Sequence, residues 1–287
     1  FGFVKSNLKE WVEEKTAGAI SAAQVHTVSI GDIRNGGPDR VAEVLNSVES
    51  GSACVVNAAS YRDMEVLIRG LQKVEAAGRE FLYRTAASFV RTRTGLAPHG
   101  GLLEREDLVS DSKHGGLFVI GSYVEKTSKQ IRSLFSGTDI CAVEVNVETL
   151  LDESRRDEEI SRITALVTKK LLEGKNTAVF TSRKLITGKD GADSLAIGSV
   201  VSESLIAIVK GIEVQPRYLV AKGGITSSDV ATKALNIRRA MVLGQPLPGV
   251  PAWKTGEETR YPGMPYIIFP GNVGDDNALV TLYNKLG

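Results

Sequence analysis

Nine short apolar runs alternate with longer amphipathic stretches along almost the whole chain, and glycine or proline borders many of them. Runs this short and this apolar are buried on both faces, which is the pattern of parallel strands rather than half-exposed antiparallel ones. The expected strands are 25–30, 53–57, 81–84, 117–120, 140–145, 178–181, 218–221, 240–243 and 266–269. Helical periodicity marks 39–48, 63–77, 126–135, 157–172, 194–212, 228–235 and 277–285. Such alternation predicts an α/β fold: two domains, each built on a mostly parallel sheet flanked by helices.

The 287 residues suffice for about two domains at ~150 residues each. Glycines and a charged patch crowd the stretch from Gly95 to Gly116, through Pro98-His99-Gly100-Gly101 and on to Lys113. The expected division is a first domain over 1–100, a linker over 101–115 and a second domain over 116–287. Only three strands precede the linker, too few for a sheet of ordinary size. The chain opens on Phe1 and its first methionine is Met64. The first domain is therefore expected to be N-terminally truncated, and the chain to be a piece of a longer one.

Charge and cysteine content exclude several classes of function. Lys plus Arg number 35 and Asp plus Glu 34, so the net charge of +1 argues against a nucleic-acid partner. No apolar run approaches ~20 residues, so no membrane span is expected. The two cysteines, Cys54 and Cys141, each sit in an apolar run. That rules out a disulfide framework or a Cys-rich zinc site and points to a reducing, cytoplasmic compartment. The three histidines, His26, His99 and His114, are isolated and form neither a triad nor a zinc site.

In a parallel sheet, ligands gather at the carboxyl ends of the strands. The turn with most to say is Lys222-Gly-Gly-Ile-Thr-Ser-Ser-Asp229, directly after the run 218–221. Gly223 and Gly224 let backbone approach a ligand, and Thr226 and Ser227 add hydroxyl donors for phosphate oxygens. The plain alternative is a helix cap made by Ser, Thr and Asp; Asp229 reads first as a cap, not as a metal ligand. Gly121-Ser122 follows another strand, and Gly271-Asn272-Val-Gly274 follows a third. Asn272 suits a left-handed position or an amide contact. A weaker fourth turn is Thr181-Ser182-Arg183. Each alone is an ordinary turn; together they place small and hydroxyl residues where a nucleotide phosphate would lie. Neither Gly-x-Gly-x-x-Gly nor a Walker loop is present, which disfavours a Rossmann dehydrogenase and a P-loop NTPase.

In the first domain, Arg84-Thr-Ala-Ala-Ser-Phe89 follows an expected strand. Arg84 suits bidentate capture of a carboxylate, with an exposed ion pair equally open, and Ser88 lies nearby. Asn57 is similarly placed after 53–56. The charged stretch 152–162 reads as a solvated helix face. Trp11 and Trp253 read as packing residues, and Pro246-Leu-Pro-Gly-Val-Pro251 as a rigid connector.

Five motifs together resemble the four-carbon acid sugar kinase family: Arg84-Thr-Ala-Ala-Ser-Phe89, Gly121-Ser-Tyr-Val124, Lys222-Gly-Gly-Ile-Thr-Ser-Ser-Asp229, Gly244-Gln-Pro-Leu-Pro-Gly-Val250 and Phe269-Pro-Gly-Asn-Val-Gly274. The likeness runs through nearly the whole chain, most closely to kinase segments fused to dehydrogenase-like and class II aldolase-like domains. It implies an N-terminal acid-sugar domain and a C-terminal ATP domain. The implied reaction phosphorylates a hydroxyl of threonate, erythronate or a 3-oxo-tetronate, with ATP and Mg²⁺. The implied nucleotide contacts are Ser122, Gly223, Gly224, Ile225, Thr226 and the surroundings of Gly274, to which the reading of the turns adds Gly121, Ser227, Gly271 and Asn272; the implied substrate contacts lie near Arg84, to which position in the chain adds Ser88 and Asn57. The family's acidic Asp-Asp-x-Thr-Gly segment, which supplies its base, has no counterpart here, so no catalytic residue and no metal ligand is assigned. The alternative expectation is a non-catalytic nucleotide- or sugar-acid-binding module.

Overall fold

The computed structural model describes residues 3–97, 100–183, 186, 188–189 and 191–287; Pro98 and His99 of the expected boundary lie outside them. The chain divides into two compact units, Phe1–His99 and Gly100–Gly287.

In the first unit, α1 (Leu8–Lys15), β1 (His26–Val28), α2 (Ile30–Ser47), β2 (Cys54–Val56), α3 (Tyr61–Ala76) and α4 (Ala87–Thr94) follow in order. β1 and β2 pair in parallel, with His26 opposite Cys54 and Val28 opposite Val56. Ser29 and Asp32 cap α2 reciprocally, each side chain accepting the other's backbone N–H at 3.0 Å. Gly37, at φ 62°, and Pro38 interrupt α2, so helical periodicity is legible only from residue 39 onward. α3 packs tightly on α2: a Cβ on Gly70 would lie 2.5 Å from the Val41 side chain. Val28, Ile33, Val41, Leu45, Leu67, Leu71 and Val74 form the core beneath.

The expected strand 81–84 does not form, and residues 81–86 carry no regular structure. Leu82 is fully exposed, while Phe81 and Phe89 flank the Tyr83 ring at 6.1 and 5.4 Å. Tyr83 donates its hydroxyl to Glu75. The aromatics contact one another locally, without strand pairing.

The second unit runs α5 (Arg105–Leu108), β3 (Leu117–Ile120), α6 (Glu125–Gly137), β4 (Cys141–Val145), α7 (Val147–Leu151), α8 (Glu153–Leu172), β5 (Thr177–Thr181), α9 (Gly191–Gly211), β6 (Leu219–Lys222) and α10 (Gly224–Asp229). α10 continues into a π-helical turn, Val230–Ala234. β7 (Ala240–Leu247), β8 (Val250–Thr255), β9 (Pro265–Phe269) and α11 (Ala278–Leu286) complete it. The seven strands are ordered β4-β5-β3-β6-β9-β8-β7. The first five are parallel; β8 and β7 close one side antiparallel. Leu117 and Val119 of β3 enter a core shared with Ile163, Val167, Leu205 and Ile208, from α8 and α9. Phe118 and Ile120 enter the opposite core, shared with Ile131, Leu134, Leu279 and Leu282, from α6 and α11. Helices thus cover both faces of the sheet, as a parallel sheet requires.

Two further expectations need correction. The stretch 101–115, read as a linker, is part of the second unit. Leu108 is fully buried, Ser110 donates its N–H and hydroxyl to the Arg217 carbonyl, and Ser112 bonds to Gln215. Residues 246–251, read as a connector, are the hairpin of β7 and β8, turned at Gly249 with φ 78°. Prolines survive there because β7 is an edge strand and β8 joins the ladder irregularly. By length and composition alone, 193–211 within α9 would suffice to cross a membrane, with mean hydropathy 1.4. Scattered Ser, Asp and Glu break this stretch into short apolar runs in the sequence. The C-terminal half of α9 is buried in the core through Leu205, Ile206, Ile208 and Val209. Ile208→Ala is therefore expected to cost about 2–5 kcal/mol in urea denaturation. Leu195→Ala, at a site 73% exposed, stays within about 0.5 kcal/mol.

Candidate functional site

After β3 the chain leaves through α6 for β4 on one side; after β6 it leaves through α10 for β7 on the other. Adjacent strands whose connections diverge open a crevice at their carboxyl ends, the usual ligand position in such sheets. Ile120, Lys222 and Phe269 lie at one level of the sheet, paired in register. The turns that follow them, at Gly121-Ser122, Gly223-Gly224 and Gly271-Asn272, therefore meet at one edge.

The contacts between these turns are close. A Cβ on Gly121 would lie 2.5 Å from Thr226 Oγ1 and 2.9 Å from Leu205, and one on Gly223 would lie 3.2 Å from Ser122 Cβ. Thr127 of α6 donates to Ser122 Oγ at 3.2 Å and to the Gly271 carbonyl at 3.4 Å. Gly223 donates its N–H to the Phe269 carbonyl at 2.9 Å. Its φ of 109° is a conformation only glycine adopts freely. Gly224 and Ile225 are exposed, and a Cβ on Gly224 would meet nothing within 4 Å. Glycine at 223 thus serves the turn itself, whereas glycine at 224 keeps its outer side open.

Helix α10 starts at Gly224, with Gly223 at its N-cap position and no side-chain cap. Hydroxyl capping, the plain alternative for this motif, does not occur. The N–H groups of a first helical turn lack intrahelical acceptors. Ser227, expected to offer its hydroxyl outward, is buried and donates it to the Ala221 carbonyl at 2.7 Å. Asp229 accepts from Ser202 and pairs with Lys233, and it caps neither α10 nor the π-helical turn. Gly274, at φ 80°, gives its carbonyl to Lys126 Nζ at 3.1 Å; Asn272 is exposed beside it.

Lys222, the first residue of the Lys222–Asp229 motif, is a site residue that sequence reasoning missed. It is fully buried, and its Nζ donates to the carbonyls of Pro270 at 2.8 Å and Gly271 at 3.4 Å. The ammonium also sits 4.2 Å from the centre of the Phe269 ring. Burial, reinforced by the Lys126 charge, lowers its pKa to about 8. Arg183, after β5, donates to the Ser122 carbonyl at 2.7 Å and to Ser128 Oγ. Burial lowers its pKa as well. A lysine closing a buried apolar strand just before Gly-Gly was the available sequence signal. Thr127 and Arg183 gave less, because only the folded sheet brings them to Ser122.

In the first unit, Arg84 is exposed, its guanidinium 4.9 Å from the centre of the Trp11 ring. Among the described residues no carboxylate pairs with it. Ser88 lies in the first turn of α4, and Asn57 is exposed at the end of β2, its N–H bonded to the Val28 carbonyl. Sequence reasoning missed the forked pair of Arg34 with Asp63, at 2.9 and 3.0 Å. The Arg34 guanidinium holds the Asp63 carboxyl well below the usual range. Among the described residues no three His, Cys, Asp or Glu side chains gather as a metal site.

The second unit is thus a doubly wound α/β domain with its glycine turns at the switch point. Residues 117–279 match a nucleotide-binding C-terminal domain, and residues 1–93 a sugar-binding N-terminal domain. The chain belongs to the four-carbon acid sugar kinase (DUF1537) family. A Haemophilus influenzae protein of that family shares the fold at TM-score 0.59 and 17% identity, over 99% of this chain and 65% of its own. A Salmonella typhimurium LT2 protein carrying a provisional tRNA synthase name does so at TM-score 0.55 and 15% identity, over 90% of this chain and 59% of its own. The chain therefore spans just under two thirds of those relatives. No curated protein matches it.

Folding carries the Lys222 pKa from the usual 10.5 down to about 8. The buried ammonium is thus a cost below pH 8, and that cost fades as both states lose the proton toward pH 10.5. Relative to Lys222→Met, the wild type is expected to gain stability across this window, on the order of 1–3 kcal/mol by urea denaturation.

Proposed function

We propose that this chain carries the nucleotide- and sugar-acid-binding parts of an ATP-dependent kinase. Its substrate would be a four-carbon acid sugar such as threonate, erythronate or a 3-oxo-tetronate. The observation that carries this reading is the meeting of Gly121-Ser122, Gly223-Gly224 and Gly271-Asn272 at the switch point between β3 and β6. Glycines at such an edge allow phosphate oxygens to approach backbone N–H groups. The neighbouring Lys126, Lys222 and Arg183 make the edge electropositive, which favours a polyphosphate. Membership of the family supports the choice of a kinase over other nucleotide-binding proteins.

Phosphoryl transfer depends chiefly on positioning and charge stabilisation. The turns after β3, β6 and β9 are assigned the phosphates, with Gly224 and Ile225 nearest the ligand. Mg²⁺ would shield the charge of the transferred group, and it is commonly held by phosphate oxygens and water with few protein ligands. A site without a clustered set of carboxylates is compatible with that. In the first unit, Arg84 is assigned the carboxylate of the acid sugar, with Ser88 and Asn57 as hydroxyl and amide contacts. The Trp11 ring beneath Arg84 would hold its guanidinium ready for a bidentate contact.

A thermal-shift titration with Mg·ATP and Mg·ADP, with NADH as control, tests the nucleotide site. Ligand at ~100 times its dissociation constant stabilises by about 2.7 kcal/mol, a shift of several degrees. No shift at millimolar adenine nucleotide would overturn the reading. Gly224→Ala, which adds a methyl group in open space, is expected to leave stability unchanged and to weaken ADP binding at least tenfold. Nucleotide binding with no ADP release on any of the three acids, assayed in the full-length protein, would instead support a non-catalytic module.

A further inference from the structure

We propose that Lys222 is a positioning residue of the nucleotide site: its buried ammonium holds the Pro270 and Gly271 carbonyls and so fixes the turn after β9 against the turn after β6. The proposal rests on the nucleotide reading above. Lys222 is the last residue of β6, where its neighbours Leu219, Val220 and Ala221 are apolar and fully buried. An aliphatic side chain would fill the same place without the cost of burying a charge. Nor is the charge there to neutralise an acid. Among the described residues no carboxylate pairs with Lys222; its contacts are two backbone carbonyls and the face of Phe269. Lys126 of α6 is the titratable neighbour whose charge acts on it.

Both carbonyls belong to the turn that carries Asn272 and continues to Gly274. The same Gly271 carbonyl also accepts from Thr127, which in turn donates to Ser122. One buried ammonium and one hydroxyl therefore join the turns after β3, β6 and β9. An ammonium makes stronger bonds to carbonyls than a neutral amine does, and it has one more hydrogen to give. Removing the charge should loosen the turn after β9 and weaken anion binding together, while the apolar core on either side stays intact.

The experiment uses Lys222→Met, which keeps an unbranched apolar chain one atom shorter and removes the donor. Amide hydrogen exchange is read without ligand, and Mg·ADP affinity is read calorimetrically from pH 7.5 to 9.5. Exchange at 271–273 should quicken at least tenfold in the variant while exchange in β3 and β6 is unchanged. ADP affinity at pH 7.5 should fall at least tenfold. Wild-type affinity should decline across the pH range and the variant's should not. Unchanged exchange at 271–273, or equal ADP affinity in the two proteins, overturns the proposal while leaving the nucleotide site standing. Failure of the wild type to bind ADP defeats the nucleotide reading first, and this assignment with it. Should the variant not fold, the wild-type pH series decides: a flat affinity from pH 7.5 to 9.5 overturns the proposal.

Discussion

The second unit depends on a sheet whose central strands have no side facing water. β3 pairs with β5 on one side and β6 on the other, and its four residues alternate between two cores closed by helices. Every polar backbone group of such a strand is used in the ladder, and every side chain is used in packing. Chemistry is thereby displaced to the strand ends, where the chain must turn and its N–H groups fall free of the ladder. The order of the strands then selects which ends matter. Because the chain departs in opposite directions after β3 and β6, no crossing connection among the described residues covers the space beyond Ile120 and Lys222.

Lys222 departs from that rule, since it brings a charge inside the sheet rather than beyond its end. The arrangement costs stability and yields a buried fixed point under three turns that Thr127, Arg183 and Lys126 hold from α6 and from the end of β5. Natural sequences commonly depart from the most stable choice where a site needs order or charge. The first unit shows a milder version of the same economy. Arg34 and Asp63 form a complete pair, while Arg84 rests on Trp11 with its charge toward solvent and no carboxylate partner among the described residues.

Family membership and fold are secured by two matching domains and by distant relatives of the same architecture. Identities of 15–17% carry the path of the chain, not the chemistry of its sites. The case for a phosphate site stands on residues of this chain, and the acid sugar comes from the resemblance that those residues carry.

The sequence by itself determined the α/β class and most of the second unit's parallel strands, because residues buried on both faces leave a short uninterrupted apolar run, and glycine or proline bounds it. It also showed the glycine turns after β3, β6 and β9, since each follows such a run directly. It could not show that 81–84 would stay irregular, because Phe81 and Tyr83 are equally apolar whether they pair in a sheet or pack against Phe89. Nor could it separate Gly223 from Gly224, or turn Ser227 inward, since those roles are set by neighbours more than forty residues away in the chain or by the local path of the backbone. The tertiary structure alone decided that Thr127, Arg183 and Lys222 converge on the same turns. Each lies on a different element, and only strand order brings those elements to one edge.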